Sequence, residues 1–128
     1  MMNISEVRNA LNSIRSILDI DVVDCNIQDV QNKAIKLTQL MGLSAETTAS
    51  SKKILHTKEI EVFAMMEVMP KQLTPSMQAK YLKAMCKDEV AVLEYSDRLN
   101  AGIVHSSDTL RSIISLYKTE ITTSLKSI

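Results

Sequence analysis

From Val92 onward the chain keeps one apolar stripe at helical spacing, through Leu99, Ile103, Leu110, Ile114 and Tyr117 to Ile121, with no proline and only Gly102 as a weak point. A helix carrying such a stripe for about thirty residues spans roughly 50 Å, longer than a compact domain of this chain's size is wide. Part of its apolar face is therefore expected to need another chain. This feature sets the fold class. With two glycines, two prolines, no tryptophan and one phenylalanine in 128 residues, the chain lacks the turn residues of a β-sandwich or barrel and the glycine-rich loops of a doubly wound α/β enzyme. The expectation is an all-α protein, one helical domain over residues 1–128. It is read as an irregular bundle of four or five helices built around residues 54–69 and the long C-terminal helix. A chain of this length buries enough surface to hold a core without disulfides or a structural metal.

Local signals divide the chain further. Ile4, Val7, Leu11, Ile14 and Leu18 share one helix face, with Asn3 as N-cap and Glu6 three residues on, which predicts a first helix over 4–19. After an acidic, β-branched connection, Asp24 or Asn26 can cap a second segment whose stripe is Val30, Ala34, Leu37 and Met41, with Asp29 and Lys33 paired on its outer surface. Gly42 is expected to stop that helix as a left-handed C′ residue, and Ser44 to start the next. Because residues 45–53 hold almost no large apolar group while 62–69 are apolar nearly all round, the second half of this segment is expected to be the buried half. Pro70 ends it, Thr74-Pro75 starts another helix, and Lys87-Asp88-Glu89 is read as a short break with Asp88 as a new cap.

Fifteen basic residues balance fifteen acidic ones, so the net field that draws a small protein to nucleic acid or to an anionic membrane is missing. Lys80, Lys83 and Lys87 form the one basic patch, without an aromatic platform beside it, and nucleic acid is not expected as a partner on those grounds. Asn3, Glu6, Arg8, Asn9 and Asn12 interrupt the apolar core that a signal peptide would need, and no apolar run approaches the length of a spanning helix. A cytoplasmic location without membrane attachment is expected. Cys25 and Cys86 are far apart and form no C-x-x-C motif, which suits reduced, small packed side chains.

Catalytic constellations are missing in kind. Two histidines, two glycines and two cysteines supply no H-E-x-x-H, no cysteine-histidine zinc cluster and no phosphate-cradling glycine loop. No serine has a base and an orienting carboxylate placed by a motif. The chain is read as non-enzymatic and without a cofactor. His56 lies among Lys52, Lys53, Lys58 and Glu59 and is expected on the surface, and the methionines at 65, 66, 69, 77 and 85 are expected to fill the core, with an adaptable partner surface as the other reading.

The densest polar stretch runs from Tyr95 to Ser112. Arg98, His105, Asp108 and Arg111 follow one another along the helix, and as a ligand site they would hold a phosphate or carboxylate on the arginines with His105 as a pH-sensitive donor. Read structurally, they are surface pairs, and Ala101-Gly102 with Ser106 and Ser107 are small residues that let a second helix come close. The leading expectation is a self-associating helical interaction protein, a homo-oligomer with a further protein partner. Its interface would use Leu99, Ile103, Leu110, Ile114, Tyr117 and Ile121. The rival is a small-molecule or nucleotide-binding oligomer using the polar row.

Overall fold

The computed structural model describes residues 1–22 and 26–126, and all its regular structure is helical: α1 (Ile4–Leu18), α2 (Ile27–Glu67), α3 (Pro75–Met85) and α4 (Lys87–Lys126). Asp24 and Cys25 lie outside the described residues. α1 begins as its sequence dictates. The Asn3 side chain accepts from the Glu6 amide at 2.9 Å while the Glu6 carboxylate accepts from the Asn3 amide at 3.4 Å, so two otherwise unpaired donors are satisfied reciprocally. Asn26 caps α2 by accepting from the Asp29 amide, and Thr74 caps α3 by accepting from the Met77 amide, with Pro75 in the first turn.

Two expectations about α2 are corrected. The helix runs unbroken through Gly42 and Ser44 for 41 residues, about 60 Å. Gly42 has no positive φ and sits in the helix interior, and Ser44 points its hydroxyl across to Asn100 Oδ1 at 2.8 Å instead of starting a helix. Tertiary packing of Leu37, Ser44 and Thr47 carries the helix through a weak local signal. The buried half is also the reverse of that expected. Ser44, Thr47, Ser50 and Ser51 are buried, whereas in the apolar stretch only Val62 is, with Ile60, Phe63, Met65 and Val68 exposed.

The reason is the register. Ser44 meets Asn100 and Thr48 meets Ser96, at 2.8 and 2.9 Å, so α2 and α4 form an antiparallel hairpin. Met2 donates its amide to Ser50 Oγ at 3.2 Å, and Lys33 Nζ reaches the carbonyls of Leu18 and Ile20 at 3.0 and 2.7 Å, which lays α1 antiparallel to α2 and parallel to α4. Lys33 is therefore not an outer partner of Asp29. Its ammonium sits on the negative end of α1, whose last carbonyls lack intrahelical donors. The core is a three-helix zone in which Val7, Leu11 and Ile14 of α1 meet Val30 and Leu37 of α2 and Val92, Leu99, Ile103 and Leu110 of α4. It is centred on residues 30–51, not on 54–69. The small hydroxyl residues lie where three helices approach closely, and the larger side chains of 60–68 lie past the start of α4, with α3 beside them.

α3 and α4 are separated by one residue, Cys86, two positions before the expected cap at Asp88. The Cys86 amide donates to Leu82 and its carbonyl accepts from Val90, so the chain bends there with little loss of backbone hydrogen bonding. The long C-terminal helix is present, 40 residues from Lys87 to Lys126. Gly102 is where the end of α1 approaches it: a Cβ there would lie 3.4 Å from Leu18 Cδ1.

Candidate functional site

The polar row of α4 stays on the surface. Arg98, His105, Asp108 and Arg111 are all exposed. Arg111 approaches Asp108 at 3.7 Å as an i, i+3 pair with both side chains about two-thirds exposed, a pair that contributes little in water. His105 lines a concavity of about 270 Å³, shared with Val22, Lys33, Thr109 and Ile113, and the Lys33 ammonium there is occupied by the carbonyls of Leu18 and Ile20. The four residues converge on no common space.

Other candidates are equally dispersed. His56, Lys80, Lys83 and Lys87 are exposed as expected for a solvated surface. Met65, Met77 and Met85 are exposed and Met66 and Met69 only half-buried, so none of these five fills the core, because the segment carrying them projects beyond it. Among the described residues no group of three or more His, Cys, Asp or Glu side chains is placed to hold a metal ion, and no helix is long and apolar enough to cross a membrane. The Cys86 thiol is buried; that burial, and after it the carboxylates of Glu89 and Glu59, pushes its pKa up, with Lys58 opposing. A thiol so placed is a poor nucleophile. Arg15, held by Asp19 at 3.0 Å and near Tyr95, is pushed up in turn.

The expected interface residues divide into two groups. Leu99, Ile103 and Leu110 are buried against α1 and α2 within the same chain, and Ile114 packs at the edge of that core. Tyr117 and Ile121 do not. Carried along the hairpin, the register set by Ser44–Asn100 and Thr48–Ser96 brings Ile27, the first residue of α2, level with about Tyr117. Beyond that point no other described helix runs beside α4, and every described residue from 115 to 126 is exposed. Tyr117 is 40% and Ile121 44% accessible, with Leu116 at 61% and Leu125 at 66%.

Matches were sought among protein-family models, curated proteins and solved structures. None of the three gives one.

Sequence reasoning missed one feature beside the overhanging end of α4. Gln28, Gln31, Ala34, Ile35 and Thr38 of α2 form, with Ile114, an open groove of about 550 Å³ that no charged residue lines. Ile35 is 56% accessible there. The signal was present as an isoleucine one residue after the Val30–Ala34–Leu37 stripe enters its turn, but between Ala34 and Lys36 it reads as an ordinary edge position. A second groove, of about 490 Å³, lies at the other end of the hairpin among Phe63, Met66, Met69 and Leu73.

Proposed function

We propose that this chain is a non-enzymatic interaction protein that self-associates through the C-terminal end of α4. One observation carries the reading: the stripe that forms the core through Leu99, Ile103 and Leu110 continues at the same spacing past Ile114 to Tyr117 and Ile121, where α2 no longer runs beside it and no described element of the chain covers it. Apolar side chains gain about 1.5–3 kcal/mol each on full burial, and an uninterrupted row on an unsupported helix is a surface that a second apolar face stabilises. The dispersal of Arg98, His105, Asp108 and Arg111 supports interaction over ligand chemistry.

Because the inner half of the stripe is used within the chain, the patch that remains is small. It belongs to weak, concentration-dependent association, with dissociation in the micromolar range. Sedimentation velocity between about 1 and 100 µM is expected to show a concentration-dependent shift above monomer mass. Ile121→Asp places a carboxylate in the stripe and abolishes the shift, while its unfolding midpoint at low concentration stays that of the parent chain. A parent chain that is monomeric at the upper concentration overturns the proposal.

A further inference from the structure

We infer that the seat for the overhanging end of α4 is the uncharged groove beside Ile35 on a second copy of the chain, so that two copies exchange these ends reciprocally. This rests on the self-association proposed above and specifies its geometry.

Four observations point to that seat. The groove and the overhang are continuous, since Ile114 both lines the groove and starts the exposed row Tyr117, Ile121 and Leu125. The two surfaces match in charge: nothing charged lines the groove, and on the overhang Lys118 and Glu120 flank the apolar row without entering it. The apolar patch on this side of α2 is also local, for the residues that follow Ile35 outward are Thr38, Gln39, Gly42, Ala45 and Ala49, which offer a partner no further large apolar side chain. A groove of about 550 Å³ accommodates several aliphatic side chains of a helix laid along it.

The position of the groove decides which arrangement closes. Groove and overhang lie at the same end of the hairpin, so a two-fold axis near Tyr117 places Ile121 of each copy beside Ile114 and Ile35 of its partner, with the two α4 helices antiparallel. Such an isologous contact is complete at two copies. The groove around Phe63 and Met69 lies at the opposite end, and an overhang seated there would make a head-to-tail contact that grows into filaments. A membrane surface fits the overhang less well, because Lys118 and Lys126 are its only basic residues and Glu120 stands between them. Where α1 supplies the third helix on one face of the hairpin, the partner's α4 supplies it on the outer face.

Directed cross-linking tests this arrangement. Cys25→Ser is combined with either Ile35→Cys or Ile121→Cys, both at exposed positions; Cys86 is kept because it is buried and its thiol is held protonated. Within one chain these two positions stand about 18 Å apart along the hairpin, beyond disulfide reach. After mixing the two single-site chains under mild oxidation, the expected product is a covalent dimer joined between residues 35 and 121, with dimer as the largest species in sedimentation. Oligomers that link only 121 to 121, or species larger than a dimer lacking the 35–121 link, overturn the seat while leaving self-association standing. A monomer with no cross-link at about 100 µM overturns both.

Discussion

Ser107 carries a buried hydroxyl whose oxygen has no hydrogen-bond partner, unlike the other buried hydroxyls among the described residues. Ser44 donates to Asn100, Thr47 to the Ser44 carbonyl and Ser51 to the Thr47 carbonyl; Ser50 accepts from Met2, and Ser96 pairs with Thr48. An unpaired buried hydroxyl costs about 1–3 kcal/mol in desolvation, and serine is a weaker helix former than alanine. Ser107→Ala is therefore expected to raise stability by about 1 kcal/mol, read from urea midpoints at unchanged slope, whereas Ser96→Ala, which removes a paired hydroxyl, brings no such gain. At this scale the sequence was partly legible. Ser106 and Ser107 stand out as small residues in an apolar seam, and Gly102 as a point of close approach, because size is a property of the residue alone. Lys33 was not legible: its spacing from Asp29 is that of a surface pair, and only the position of α1 reveals the carbonyls that its ammonium reaches.

Helices announce their starts more clearly than their continuations. The Asn3–Glu6 box and the Thr74-Pro75 start could be read from sequence because the groups that satisfy one another lie within one turn. Gly42 followed by Ser44 looks equally local and misleads, since whether a glycine ends a helix depends on what holds the next turn. Here the turns on both sides are packed, Gly42 keeps a right-handed backbone, and a Cβ at that position would meet nothing within 4 Å. Gly42→Ala is consequently expected to stabilise the protein by about 1 kcal/mol, the helix-interior difference between the two residues. Gly102→Ala, which brings a methyl against Leu18, gives a smaller effect; thermal melts of the two variants compare them directly. Burial within α2 misled for a related reason. Hydropathy marks Val62 to Met69 as core, but packing is closest where side chains are small enough for three helices to meet, and that is the serine-rich first half.

In the whole molecule, surplus helix length could be counted from sequence, but which part is surplus could not, because that depends on where α1 stops and where α2 begins. The candidate surface accordingly shrank from a stripe starting at Leu99 to its outer end at Ile114 through Leu125, and gained a groove made by α2. The same antiparallel pairing raises a question of sliding. Leucine, isoleucine and valine attract without direction, so two rods of about 60 Å lined with them have several nearly equivalent axial offsets. Hydroxyl pairs do not share that tolerance. A slip of one heptad moves Thr48 from Ser96 to Ile103 or Glu89 and strips Ser44 of Asn100, leaving polar groups buried without partners. Spin labels at exposed Lys52 and Asp97 are expected to report one narrow distance in the parent chain and an added population displaced by about 10 Å when Ser44 and Ser96 are both alanine. A single unchanged distance in that variant would mean that shape alone sets the offset. The buried serines and threonines thus act as the teeth of a vernier: they add little to how tightly the rods hold, and they select the one alignment in which α4 emerges from the hairpin with its last turns bare.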